Sequence, residues 1–233
     1  MKKVLLIGIN ARYTHSNPAI RYLRNSVLDL PFKIELIEFS INRKISEILS
    51  KIYGSQPDVV ALSVYIWNSE IVKKILKDIK KVLPDIKIIL GGPEVSFNAE
   101  KWIEEFPAID HIIFGNGEKG FRYFLERDLD VPQTIIKIKN KNFSEINFPY
   151  LETDFPELQN KYIYYESTRG CPFKCIYCIS SRIDQALEFR DLETVKKELL
   201  WLLEKKPKII KFIDRTFNSN RDFSRKIWKF LIE

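Results

Sequence analysis

"VVALSVYIWNSEIVKKILKDIKKVLPDIKIILGG", residues 59–92, holds two short apolar runs separated by a charged stretch. The runs VVALSVY (59–65) and KIILGG (87–92) are nearly continuous in Val, Ile, Leu and Ala rather than alternating with polar residues. Strands covered on both faces read this way, as in parallel sheets. Between them, NSEIVKKILKDIKKVL (68–83) places Ile71, Ile75, Ile79 and Val82 at helical spacing with lysines elsewhere, which predicts a helix with one apolar face.

The same rhythm extends outward. KVLLIGI (3–9), KIELIEF (33–39) and HIIFG (111–115) are further apolar runs, each followed by a longer stretch of helical character. Five such units predict a doubly wound, flavodoxin-like (Rossmann-like) α/β domain over residues 1–130. Domains of this kind bind ligands beyond the carboxyl ends of the strands, near the switch point. From 131 to 160 the rhythm fails. NFPYLETDFPELQNK (147–161) mixes prolines, polar residues and aromatics, and reads as a linker, with a short hairpin expected at TIIKIKNKNF (134–143). The rhythm resumes in a second domain, 161–233: a strand at 162–168, a helix near 193–205, a strand at 208–214 and a helix from about 222. Two βα units expose more apolar surface than they cover, so the second domain is expected to continue beyond Glu233.

With 45% hydrophobic and 30% charged residues in 233, the chain has the composition of a soluble globular protein with a substantial core. No run approaches the ~18 apolar residues that cross a bilayer. MKKVLLIGIN begins like a signal peptide, but its apolar run is short and enters ARYTHSN without a small-residue cleavage site, so a buried first strand and a cytoplasmic location are expected. The net charge of +7 is spread over helices in which lysines and acids are interspersed, the densest basic stretch being KIKNKN (137–142). A nucleic-acid role is therefore not expected.

All three cysteines lie in RGCPFKCIYC (169–178), directly after a predicted strand, spaced Cys171-x-x-x-Cys175-x-x-Cys178. A zinc site would want a fourth nitrogen or sulfur ligand, and the two histidines, His15 and His111, lie in the other domain. A disulfide would leave one cysteine over and suits a cytoplasmic protein badly. Iron–sulfur clusters are held by thiolates, normally four, so three would leave one iron open.

This motif, after the first strand of a (β/α) domain, resembles that of the radical S-adenosylmethionine (SAM) enzymes. The resemblance implies a partial TIM barrel and a 4Fe–4S cluster on Cys171, Cys175 and Cys178, with SAM chelating the fourth iron. It also implies reductive cleavage of SAM to methionine and a 5′-deoxyadenosyl radical, with flavodoxin or ferredoxin as the electron donor. Tyr177 matches the family's aromatic beside the adenine, its competing role being packing at the loop base. Asp214, ending a strand, is the expected further SAM or substrate contact, with a helix N-cap as its alternative. Arg169 and Gly170 are expected to shape the turn, and Arg169 to offset cluster charge. A full barrel of this family has six βα units, and two are visible here.

A flavodoxin-like domain ahead of such a barrel resembles the arrangement in cobalamin (B12)-dependent radical SAM enzymes. PDVVALSVY (57–65), PDIKIILGGPEVS (84–96) and IDHIIFGNGEKGF (109–121) carry that resemblance. It implies that Ser63, Gly91 and Gly92 line the cleft for the nucleotide tail of cobalamin, the glycines letting the backbone approach the ligand. The competing role of the two glycines is the turn after the fourth strand. The D-x-H-x-x-G motif of histidine-ligating cobalamin proteins is missing, because His15 has Tyr13 two before it and Pro18 three after it. His15 is still expected to face the cleft, without ligating cobalt by that motif. The function implied is methyl transfer to an unactivated carbon of a small molecule. The rivals are a radical SAM hydrogen-abstraction enzyme with an empty cobalamin domain and a non-catalytic metal-bearing or nucleic-acid-binding scaffold. Methylthiotransferases need three more cysteines in their first domain, and this sequence has none.

Overall fold

The computed structural model describes residues 1–138, 142–179 and 186–233. The chain divides into two compact units, residues 1–140 and 141–233.

The first unit opens with strand β1 (Lys3–Asn10), helix α1 (Pro18–Asn25), β2 (Lys33–Ser40), α2 (Ile45–Ser55), β3 (Val59–Ser63) and α3 (Ser69–Val82). It continues through β4 (Lys87–Gly91), the short helices α4 (Pro93–Ser96) and α5 (Ala99–Glu105), β5 (His111–Ile113), α6 (Gly117–Glu126) and β6 (Ile135–Ile136). The strands form one six-stranded sheet in the order β2-β1-β3-β4-β5-β6, and every pairing is parallel. The chain reverses its direction of sheet growth between β1 and β3, which makes that the switch point.

Both faces of the sheet are covered, as its continuous apolar runs require. Leu5, Ile7 and Ile9 of β1 enter one core with Ile48, Ile52, Ile75, Leu76 and Trp102. Val4 and Leu6 point the other way, into a core with Ile20, Phe121, Phe124 and Leu125. On α3 the buried stripe is Val72, Ile75, Leu76 and Ile79; Ile71 is only partly buried and Val82 is exposed, so the helix is turned slightly from the face expected. The sixth strand departs from the sequence expectation. Ile135–Ile136 pairs in parallel with β5 instead of opening a hairpin, and residues 139–141 of that expected hairpin lie outside the described residues.

In the second unit, α7 (Phe155–Leu158) precedes β7 (Ile163–Tyr165), β8 (Thr168–Arg169), β9 (Glu188–Phe189), α8 (Leu192–Glu204), β10 (Ile210–Phe212) and α9 (Arg221–Ile232). Strands β7 and β10 pair in parallel, while β8 and β9 pair antiparallel. Asp191 and Asn220 cap α8 and α9 by accepting from the Thr194 and Phe223 amides. The core joins Ile163 and Tyr165 to Val195, Leu199, Leu202 and Ile227.

The stretch read as a linker, 131–160, is shared between the units: Val131 and Ile136 enter a core of the first, Tyr150 and Leu158 that of the second. The Tyr150 hydroxyl donates to Tyr164 O at 2.7 Å and accepts its N–H at 3.0 Å, satisfying the edge of β7 that faces away from β10. Among the described residues no helix is long and apolar enough to cross a membrane.

Candidate functional site

Register brings the predicted cleft residues together at the carboxyl edge of the first sheet. Ser63, the last residue of β3, stands between Gly8 of β1 and Gly91 of β4, and Gly91 stands beside Ile113 of β5. A Cβ at Gly91 would meet only Ile113 O, at 3.8 Å, and one at Gly115 would meet nothing within 4 Å. Backbone at both positions is open to close approach. Gly92 is different: its φ is +107°, and a Cβ there would lie 2.5 Å from Val64 O, so the turn after β4 accounts for it. Ser96 Oγ donates to Gly92 O and accepts the Gly115 amide, which joins the loops after β4 and β5.

Polar side chains hold this edge in place. Ser63 Oγ accepts from Asn17 Nδ2 at 3.0 Å, and Asn17 also caps α1 by accepting the Ile20 amide. Asn68, fully buried, donates to Ile9 O and Ser63 O and accepts the Tyr65 amide. Trp67 Nε1 donates to Ile9 O at 3.1 Å, and its ring stacks on Tyr65 at 4.4 Å between centroids. The loop after β3 is thereby stiffened while Ile66 and part of Trp67 remain exposed. His15 is half-buried in the loop after β1; its N–H donates to Arg12 O and its carbonyl accepts from Asn10 Nδ2. Tyr13, in the same loop, is exposed. Sequence reasoning misses the asparagines Asn17 and Asn68. The signal that could find them is their place, each just ahead of a helix at the strand ends.

In the second unit the cysteine loop follows β8. Gly170, with φ +93°, starts it, and a Cβ there would lie 2.5 Å from Ala186 O. The Arg169 guanidinium pairs with Glu166 and lies over Phe143, 4.6 Å from the ring centre. Cys171, Cys175 and Cys178 are half-buried and not joined in disulfides, and the Cys178 amide donates to Cys175 O at 3.0 Å. Cys171 Sγ lies 3.2 Å from Thr216 Oγ1. Among the described residues no three His, Cys, Asp or Glu converge as ligands of one ion. Tyr177 is 89% exposed.

Asp214 turns back toward the same loop. Its Oδ1 accepts from the amides and hydroxyls of both Ser167 and Thr168, where β8 begins. Its Oδ2 is buried without a hydrogen-bond partner. Burial raises its carboxyl above the ordinary 3.8, against the lowering effect of those donors. The helix that follows is capped by Asn220, so the N-cap alternative for Asp214 falls.

A family model described as the B12 binding domain matches residues 4–125. The chain belongs to the B12-binding domain family. It is 27% identical over 177 residues to 2-(S-pantetheinyl)-carbapenam-3-carboxylate methyltransferase of Streptantibioticus cattleyicolor, covering 64% of this chain and 26% of that protein. It is 26% identical over 178 residues to the cobalamin-dependent radical SAM methyltransferase TokK of Streptomyces tokunonensis, covering 63% and 25%. The chain thus spans about a quarter of the length of these relatives. Its fold is also that of the cobalamin-dependent S-adenosylmethionine radical enzyme OxsB, solved with aqua-cobalamin and SAM bound. That likeness has a TM-score of 0.80 at 20% identity, over 100% of this chain and 37% of that one.

The carboxyl edge of the B12-binding domain leaves backbone open to a ligand. Uncovered backbone at Gly91 and Gly115 lies on the same sheet edge as a stiffened loop whose Ile66 is exposed. The donor set of the cysteine loop fits a soft iron–sulfur centre, with three cysteines outside any disulfide on one short segment.

Proposed function

We propose that the chain is the cofactor-binding portion of a cobalamin-dependent radical SAM methyltransferase that acts on an unactivated carbon of a small molecule. One observation carries this reading: a B12-binding domain over residues 4–125 precedes a loop that holds all three cysteines of the chain. Strand β8, that loop and the parallel pair β7–β10 are read as the start of a radical SAM barrel.

Ser63, Gly91 and Gly92 border the proposed cobalamin cleft, with the open backbone of Gly115 beside them and His15 on the neighbouring loop, not ligating through a D-x-H-x-x-G motif. Cys171, Cys175 and Cys178 hold the cluster in this reading, and the turn from Cys175 to Cys178 orients two of them. Tyr177, exposed beside Cys178, is assigned to the adenine of SAM. Asp214 mainly sets the bend into the loop, leaving Oδ2 as its atom for a SAM contact. When bound, the cluster supplies an electron, from a donor such as flavodoxin or ferredoxin, and cobalamin supplies a methyl carrier.

The test is anaerobic reconstitution of the chain with iron and sulfide, then electron paramagnetic resonance of the reduced protein with and without SAM, with Cys175→Ala as control. A reduced 4Fe–4S signal that changes with SAM and disappears in the variant is expected. Retention of hydroxocobalamin through gel filtration is expected from the same preparation. Stoichiometric zinc with no cluster would sink the radical reading. A cluster without cobalamin would leave the hydrogen-abstraction alternative standing.

A further inference from the structure

Glu38 sits on edge strand β2, where an exposed acid would need no explanation, yet its side chain is only 4% exposed. Its carboxylate gathers the ends of the loop after β1. Oε2 accepts from Asn10 Nδ2 at 3.0 Å, and that same amide donates to His15 O at 2.9 Å. Oε1 accepts the Asn17 amide at 3.1 Å and pairs with Arg21, which is itself buried and donates to Asn17 O. One carboxylate therefore ties down the last residue of β1, the cap of α1 and, through Asn10, His15 near the far end of the loop. The same cap residue reaches Ser63 at the switch point.

Two further points single this cluster out. Mid-strand Gly8 makes room for it, since a Cβ there would lie 2.7 Å from Asn17 Nδ2. A buried ion pair is also a poor source of stability, because desolvation offsets most of the attraction and an apolar pair of similar volume does as well. Stability alone therefore does not account for Glu38 and Arg21.

We infer that Glu38 is a positioning residue of the ligand cleft: through Asn10, Asn17 and Arg21 it fixes loop 11–16, which carries Arg12, Tyr13 and His15 at the carboxyl edge. The inference rests on the cobalamin reading. Holding the loop in place before binding removes an ordering cost that the ligand would otherwise meet. Glu38 thus sets affinity and the surroundings of the bound cobalt without touching the ligand.

The test compares the intact chain with Arg21→Met/Glu38→Leu, which removes the charges at similar volume, and with Glu38→Gln. Three quantities are measured: the melting temperature, the Kd for hydroxocobalamin by absorbance titration, and the paramagnetic resonance spectrum of bound cob(II)alamin. The double variant, which leaves the Asn17 amide without its acceptor, is expected to melt somewhat below the wild type, bind roughly tenfold more weakly and show altered cobalt spectra. Glu38→Gln, which keeps one acceptor oxygen, is expected to lose only about threefold. Wild-type affinity and spectra in the double variant would overturn the inference alone. Should the double variant fail to fold, Glu38→Gln decides: unchanged affinity and spectra overturn the inference, and weaker binding at an unchanged melting temperature supports it. A wild-type chain that takes up no hydroxocobalamin overturns the cobalamin reading and this inference with it.

Discussion

Asp214 is a strand-end carboxylate with two unlike oxygens. Oδ1 is saturated by Ser167 and Thr168, while Oδ2 is buried and alone. Because burial raises its folded pKa above 3.8, the folded state holds the proton more tightly than the unfolded chain. The stability linked to this group is therefore full below 3.8 and is lost as pH rises through the folded value. Asp214→Asn does not titrate, so its stability relative to wild type should climb from about pH 4 toward neutrality. Urea unfolding of both proteins at several pH values checks this. A flat difference would mean that the four donors cancel the effect of burial, and a falling one that they outweigh it. The sequence can point to Asp214 because strand ends are where such sites lie. It cannot show that the donors come from the end of another strand.

At the scale of elements, helices are legible in the sequence and their faces less so. Isoleucine spacing locates α3, but its buried stripe is centred nearer Val72 and Leu76, because the sheet beneath it sets the rotation. Two helical glycines show how packing decides a sign. A methyl added at Gly54 of α2 would meet nothing within 4 Å, so Gly54→Ala should stabilise by about 0.5 kcal/mol through chain entropy. Gly120 of α6 is pressed against β5, where a Cβ would lie 2.7 Å from Ile113 Cγ2. Helix propensity would favour alanine there by ~1 kcal/mol, but forcing a methyl into a filled core costs about 1–3 kcal/mol. Gly120→Ala should therefore destabilise by about 1 kcal/mol net. Denaturant melts of the two variants give the comparison, and equal signs would contradict it.

For the molecule as a whole, the two units have separate cores, and the cobalamin reading concerns the first. A ligand that binds only the folded form stabilises by about 2.7 kcal/mol when present at a hundred times its Kd. Hydroxocobalamin should accordingly slow amide hydrogen exchange in the strands β1, β3 and β4, while SAM with a reconstituted cluster should act on residues 163–179. Exchange read by mass spectrometry separates the two. Slowing in the second unit by cobalamin alone would contradict this assignment.

The sequence by itself determined the first five strands of the parallel sheet, the one-sided apolar helices and the three-cysteine loop. Each is local: an apolar run needs cover on both faces, a helical stripe repeats within a few residues, and the thiols share eight positions. Only the tertiary structure decided the sixth strand, whose two residues are too few to show a pattern, and the division of residues 131–160 between two cores. It alone also assembled Glu38, Asn10, Asn17, Arg21 and Ser63 into one cluster. A buried polar group must find its partners wherever strand order and register deliver them, and those are set by the packing of segments far apart in the chain.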